Sequence, residues 1–174
     1  PMNSSAASDV YKRQEKPIIF DGAVDNQEWS KAQIATNFNG SGTFQGQPSD
    51  LRTEARLFYD EKNIYVGFIA YVDKEDLRYS ITKRDNLDEK DDRVWINIDA
   101  FDDEALTYGI GVSAGGVQID GRATYGFDKS LDLIYESKVS VHDDRYEAEL
   151  IIPFSSLRYS LSPKQTWRID FGRG

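Results

Sequence analysis

Residues 93–112 read RVWINIDAFDDEALTYGIGV, and this stretch decides the predicted fold. Its first seven residues alternate in character, so that Val94, Ile96 and Ile98 share one face of an extended chain. The opposite face carries polar and aromatic side chains, which are Arg93, Trp95, Asn97 and Asp99. An apolar pattern with a period of two predicts a β-strand that is buried on one side only.

The end of the same stretch also alternates, but here bulky side chains alternate with small ones. Bulky side chains point one way, and they are Leu106, Tyr108, Ile110 and Val112. Small ones point the other way, and they are Thr107, Gly109 and Gly111. Glycine opposite a bulky face indicates that another backbone or a ligand approaches closely there.

Short extended segments continue in both directions from this pair. Residues 52–59 and 64–72 flank a polar loop and predict a hairpin, and further strands are predicted at 131–141, 146–152 and 166–171. Helical structure is confined to a short helix at 25–32 and a one-turn corner at 153–157, where Pro153 cannot donate to a sheet. Many short strands with one or two helical turns predict an all-β fold, an antiparallel β-sandwich.

Composition excludes several classes of function. The chain has 174 residues, enough for one domain with a core, and its net charge of −9 argues against nucleic-acid binding. It has no Cys, which removes disulfides, thiolate zinc sites and thiol nucleophiles. No apolar run approaches the roughly 20 residues of a membrane helix, so no direct membrane insertion by this segment is expected.

The first fourteen residues differ in character from the rest. Residues 1–14 are small and polar without periodicity, and 9–14, DVYKRQ, match the translation of a transposase-type sequencing adapter. We expect a non-native or disordered tail here, although a natural flexible linker is the alternative. The domain proper is expected at 15–174, as a piece of a parent protein that is truncated at its C-terminal side.

Trp95 is the best candidate for a ligand contact. A small polar ligand binds where a flat apolar surface lies beside fixed polar groups, and Trp95 shares its face with Arg93 and Asn97. Further aromatic residues are candidates for a second wall, and they are Tyr125, Phe127 and Tyr135. The alternative is that Trp95 is covered by a neighbouring loop or domain and that the other rings belong to the core.

Acidic residues crowd two loops and suggest calcium as a cofactor. The candidate ligands are Asp88, Asp91 and Asp92 in one loop and Asp102 and Asp103 in the next. Calcium takes about six to eight oxygen ligands, which closely spaced carboxylates can supply. The alternative is a solvated acidic loop without metal. No pair of carboxylates is singled out for glycosidase chemistry, so we expect no catalysis by this segment.

Five short motifs stand in a fixed order along the chain. They are Phe20, Asp21 and Gly22 with Trp29 and Ala32; 57–60 with 64–68; 91–99; 102–116; and 147–157 with 167–173. Together they resemble the family 9 carbohydrate-binding module-like domain, in particular the version at the N-terminus of Bacteroidota-type proteins with a C-terminal membrane β-barrel region. The resemblance implies a jelly-roll-like sandwich, sugar binding without cleavage, and structural calcium.

One part of the family pattern is not preserved. Sugar-binding members have a Trp just before the strand at 93–99, an acidic residue within it and an Arg on the next strand. The nearest counterparts in this chain are Glu89, Trp95 and Gly111. The resemblance therefore predicts the fold more firmly than it predicts the ligand.

The leading hypothesis is a non-catalytic carbohydrate-binding domain of a larger secreted or outer-membrane protein linked to carbohydrate catabolism, with glycan as its partner. One alternative is an interaction sandwich that packs on its own C-terminal region and binds no sugar. Another is an accessory domain of an O-glycosyl hydrolase. The expected location is periplasmic, outer-membrane-associated or extracellular. An exposed Trp95 favours a ligand, and a covered one favours packing.

Overall fold

The structure is a computed structural model that describes residues 18–24, 27–40, 45–124 and 126–174. Within these residues the chain forms ten β-strands. The strands are β1 (Gln33–Ala35), β2 (Thr53–Tyr59), β3 (Asn63–Tyr71), β4 (Arg93–Asp99), β5 (Thr107–Ser113), β6 (Gln118–Ala123), β7 (Phe127–Asp128), β8 (Glu136–Val141), β9 (Arg145–Pro153) and β10 (Arg168–Arg173).

The strands build two five-stranded antiparallel sheets that pack face to face. The first sheet has the order β1-β2-β3-β9-β8, and the second has the order β10-β4-β5-β6-β7. The hairpin predicted at 52–72 is β2 and β3, paired from Thr53 with Ala70 to Tyr59 with Ile64. The predicted antiparallel β-sandwich is therefore confirmed.

The main core lies between the two sheets and follows the predicted alternation. Val94, Ile96 and Ile98 of β4 are completely buried. Ile110 of β5 is buried beside them, and Phe68 of β3 contributes from the first sheet. Burial of these side chains supplies the main favourable free energy of folding, since each contributes roughly 1.5–3 kcal/mol when fully buried.

Some predicted boundaries differ from the observed ones. Where a helix was predicted at 25–32, the described residues form a 3₁₀ turn at Gln27–Trp29. The strand predicted at 131–141 starts only at Glu136. The suggested tail at 1–14 lies outside the described residues. No helix in the described part of the chain is long and apolar enough to cross a membrane.

The outer face of the first sheet is covered by residues 18–24 and 27–32, which we call the N-terminal layer. Trp29 of this layer is 1% exposed, and its indole Nε1 donates to Glu149 of β9 at 3.0 Å. The main-chain N–H groups of Asp21 and Gly22 donate to the other oxygen of Glu149 at 2.9 and 2.6 Å. Val24, Trp29 and neighbouring side chains thus form a second, smaller core on this face.

Burial raises the pKa of the Glu149 carboxyl, although the N–H groups of Gly22, Trp29 and Asp21 oppose that shift. The neighbouring Glu147 is also buried and accepts the N–H of Val24 at 2.6 Å. Buried carboxylates are costly unless they are hydrogen-bonded, and here the N-terminal layer supplies the donors. Because the N-terminal layer supplies these donors and contains the buried Trp29, it is an integral part of the fold.

Candidate functional site

The outer face of the second sheet has a floor of glycines, and we call it the glycine face. It comprises the outward positions of β10, β4, β5 and β6, and its glycines are Gly109, Gly111, Gly121 and Gly172. Trp95 of β4 pairs with Gly111 on one side and with Gly172 on the other. Asn97 stands between Gly109 and Asp170 in the same way. Without side chains at the glycines, the backbone can support flat groups that lie across it.

The Trp95 indole occupies the space directly above Gly172. A Cβ atom added to Gly172 would lie 2.1 Å from Cε2, 2.3 Å from Cζ2 and 2.5 Å from Nε1 of the ring. Only glycine therefore permits this position of the ring. Trp95 is half-buried, since the sheet backbone covers one side of it. The exposed remainder is an aromatic surface held in place by the strand beneath it.

Phe127 of β7 is a second aromatic residue on the same face. Its side chain is 55% exposed. A Cβ atom added to Gly121 would lie 2.8 Å from its Cε1 and Cζ, and one added to Gly109 would lie 2.9 Å from its Cε2. The tip of the Phe127 ring thus rests on the glycine floor of β5 and β6, and the rest of the ring faces solvent.

A polar pair links β4 and β10 on the glycine face. The amide Nδ2 of Asn97 donates to Oδ1 of Asp170 at 2.6 Å. Burial raises the pKa of the Asp170 carboxyl, and the hydrogen bond from Asn97 partly offsets that effect. The pair offers a carboxylate oxygen and an amide oxygen that can accept hydrogen bonds from hydroxyl groups.

Arg93 lies at the beginning of β4, at the end of the glycine face. Its Nη1 donates to the main-chain oxygen of Asp88 at 3.2 Å. β4 therefore places three of the predicted ligand-binding residues, Arg93, Trp95 and Asn97, in one row. Asp170 was not predicted. The alternation of Ile169 and Phe171, which points Asp170 outward, is the signal that could have identified it.

Tyr135 does not join this row. Its side chain is 6% exposed, and its hydroxyl donates to the main-chain oxygen of Gly111 at 2.7 Å from the core side. Burial raises the pKa of this hydroxyl far above its ordinary value. The observed position corrects its assignment to a second wall, because Tyr135 precedes β8 and its side chain turns into the core. Tyr125 lies outside the described residues.

The first acidic loop uses its carboxylates to hold the loop itself. Asp91 is 4% exposed. One of its carboxylate oxygens accepts a hydrogen bond from the Ser80 hydroxyl at 3.0 Å, and the other accepts one from the N–H of Asp88 at 3.1 Å. Oδ2 of Asp92 accepts the N–H of Arg78 at 2.8 Å. These groups close turns, which is a common role of Asp in loops.

The second acidic loop shows the same use of carboxylates. Asp102 pairs with Arg168 at 3.0 Å, and Asp103 accepts the N–H of Ala105 at 2.9 Å. Over the described ranges, no group of three or more His, Cys, Asp or Glu side chains converges to hold a metal ion. The predicted calcium ligands are thus not gathered into a carboxylate cluster, and calcium binding by this chain stays a prediction.

Similar structures were found among solved proteins. One from Bacteroides uniformis ATCC 8492, named as a candidate carbohydrate-binding protein, is 12% identical with a TM-score of 0.69, covering 94% of this chain and 81% of the other. A family 9 carbohydrate-binding module from Caldicellulosiruptor kristjanssonii matches in two complexes at 17% identity. With cellotriose the TM-score is 0.59, covering 92% and 73% of the two chains. With glucose it is 0.61, covering 92% and 75%.

These similarities define the fold as that of a carbohydrate-binding module. The chain also matches the family described as "Carbohydrate family 9 binding domain-like" over residues 19–171, and it belongs to that family. The family resemblance of the five motifs is thereby confirmed. No match was found among curated proteins.

Proposed function

We propose that this domain binds carbohydrate without cleaving it, and that Trp95 on the glycine face is the stacking platform. The observation that carries the proposal is the half-buried indole supported by Gly172. A ring already held against the backbone loses little freedom when a ligand stacks on it, so less of the binding energy is lost to ordering.

The polar groups beside the ring suit a sugar. A pyranose has C–H faces that stack on an aromatic ring and hydroxyl groups around its rim. Asn97 and Asp170 lie on the strands that flank or carry Trp95, within one or two register positions of it. Their oxygens would accept hydrogen bonds from the hydroxyls of a stacked sugar.

The surroundings of Asp170 support binding without cleavage. Glycosidases need two carboxyl groups, roughly 5–9.5 Å apart, on either side of the scissile bond. Asp99 is the other acidic residue at the outer end of β4, but its oxygens accept the N–H groups of Phe101 at 3.1 Å and Glu104 at 2.9 Å. Asp99 is thus used within its own loop. The sugar complexes of the similar Caldicellulosiruptor module add support at the level of the fold.

The test compares wild type with Trp95→Ala by calorimetric titration. Glucose and cello-oligosaccharides are the first probes, and a glycan array extends the search to other sugars. Loss of stacking should weaken binding about tenfold or more, equivalent to roughly 1–3 kcal/mol, while the melting temperature changes little. Leu161→Ala is the matched control, because Leu161 is 95% exposed and its loss should alter neither property.

Unchanged sugar affinity in Trp95→Ala would remove Trp95 from the site. Failure of the wild type to bind any glycan on the array would contradict the proposed function. It would favour the alternative in which the glycine face packs on another part of the parent protein.

The proposal extends to the setting of the domain. We place it in a secreted or outer-membrane protein that takes part in carbohydrate catabolism, by itself or beside a glycoside hydrolase. Family resemblance supports this setting, and fractionation of cells that express the full-length parent protein would test it. Repeating the sugar titration with calcium and with a chelator would test whether calcium contributes.

A further inference from the structure

Phe127 has no role in the function proposed so far, although it lies on the glycine face. It is more exposed than a core phenylalanine, at 55%, and its tip rests on Gly109 and Gly121. β7, which carries it, pairs only along Arg122 and Ala123 of β6. An exposed aromatic ring on a backbone floor is the same arrangement as Trp95 on Gly172, at a second position.

The sheet register gives the separation of the two rings. The Trp95 indole lies above β10, and the Phe127 tip lies between β5 and β6, so about two and a half strand spacings, or about 12 Å, separate them across the sheet. Along the strands they differ by the two residues between Gly111 and Gly109, which is about 7 Å. The rings are therefore about 14 Å apart along a diagonal.

A single sugar ring cannot contact both aromatic residues at that separation. The diagonal between them runs beside Asn97 and close to Gly109, which pair with each other, and the Asn97 amide is bonded to Asp170. Gly109 adds no side chain that would block the path. Hydrogen-bonding groups thus lie along one side of the diagonal, and an aromatic ring lies at each end.

We propose that Trp95, the Asn97 and Asp170 pair, and Phe127 form one groove for a linear oligosaccharide that is long enough to span both rings. This inference rests on the proposed function and adds the class of ligand. One unit stacks on Trp95, the middle of the chain bonds to Asn97 and Asp170, and a later unit stacks on Phe127. The groove therefore selects an extended glycan chain over a monosaccharide.

The experiment is a chain-length series measured by calorimetry. Glucose through cellohexaose is used first, and if another glycan binds on the array, the oligosaccharides of that glycan are used in its place. In the wild type, affinity should rise with length until the chain spans both rings. Phe127→Ala should leave affinity for the monosaccharide unchanged and lower affinity for the longer chains about five- to tenfold. Trp95→Ala should lower affinity at every length.

A second variant tests the position of the ring without removing it. In Gly109→Ala the added methyl would lie 2.9 Å from Cε2 of Phe127, so the ring must shift, whereas Oδ1 of Asn97 at 3.3 Å is crowded only slightly. It should therefore lose the gain with chain length as Phe127→Ala does. Leu161→Ala again serves as the surface control, and circular dichroism confirms that each variant is folded.

The outcomes separate the two proposals. If the wild type binds no glycan, the proposed function fails and this inference fails with it. If the wild type binds sugar with the same affinity at every chain length, only the two-ring groove is wrong. The groove is also wrong if folded Phe127→Ala keeps the full gain with chain length.

Discussion

The two outer faces of the sandwich use the same local arrangement with opposite outcomes. On the first sheet, Trp29 covers Gly67, where an added Cβ would lie 3.1 Å from the ring. On the second sheet, Trp95 covers Gly172. Trp29 is buried between the N-terminal layer to which it belongs and the first sheet, whereas Trp95 is only half-buried. A tryptophan packed on glycine is thus part of the core on the first sheet, and it keeps an exposed surface on the second.

The most damaging change should be Trp29→Ala. The ring is 1% exposed, packs on Phe58 with centroids 5.2 Å apart, and bonds to Glu149, so its loss leaves a cavity and an unpaired carboxylate oxygen. We expect a loss of about 3–5 kcal/mol in the free energy of unfolding, measured by denaturant titration. Trp95→Ala is the comparison, and equal losses in the two variants would contradict the distinction between the faces.

Gly67→Ala should have the next largest effect. The new methyl would lie 2.6 Å from Cγ1 of Val24 and 3.1 Å from the Trp29 ring, and both of these side chains are buried. Overpacking of this kind should cost about 1–3 kcal/mol in thermal or denaturant unfolding. A neutral result would show that the N-terminal layer can lift from the sheet more easily than its hydrogen bonds suggest.

Gly172→Ala is the counterpart on the glycine face and should act on binding. The new methyl would displace the indole of Trp95, which can move toward solvent because it is only half-buried. We expect a smaller stability loss than for Gly67→Ala, and about a tenfold loss of sugar affinity, equivalent to about 1.4 kcal/mol. If Gly172→Ala keeps its sugar affinity although the Trp95 ring has moved, the position of the ring above Gly172 is not needed for binding.

Acidification should have the smallest effect, acting through Asp170. Burial raises the pKa of this carboxyl, so it gains a proton at a higher pH than an ordinary Asp. Its contribution to folding stability is full below its unfolded pKa and declines as the pH rises through the raised folded pKa. Sugar binding changes in the opposite direction, because the carboxylate is the stronger acceptor of hydroxyl hydrogen bonds.

Wild-type affinity should therefore fall about fivefold, roughly 1 kcal/mol, as the pH is lowered through the raised pKa of Asp170. Asp170→Asn should remove most of this dependence in calorimetric titrations over the same range. Arg93 and Arg168 are the cations on the same face, and Arg168 is paired with Asp102 and Glu104. A pH dependence that persists in Asp170→Asn would assign it to another group.

The sequence was sufficient where one side of a strand is strictly apolar. β4 was predicted at 93–99 and observed at Arg93–Asp99, because Val94, Ile96 and Ile98 have no alternative but the core. The same alternation correctly placed Trp95 and Asn97 on the outer face. Fold class and one strand of the candidate site could thus be read from local pattern alone.

The sequence was insufficient where polar groups face inward. Strand β6 was not predicted because Asp120, on its inner side, is polar although it is buried. Its carboxylate accepts hydrogen bonds from Nε of Arg84 at 2.6 Å and from the N–H of Leu133 at 2.6 Å. A buried, satisfied carboxylate reverses the apolar pattern on which strand prediction depends. The pairing of Asn97 with Asp170 could not be predicted either, because it depends on the register of two strands that lie far apart in the chain.

The position of Trp95 also makes the protein its own optical probe. Of its three tryptophans, Trp29 is sealed from water, and Trp167 lies among the rings of Phe154 and Tyr159. A molecule that stacks on the glycine face would exclude water from Trp95 while leaving the other two indoles untouched. Intrinsic fluorescence should then shift toward the blue and become less accessible to a soluble quencher, so that occupancy can be followed without any attached label.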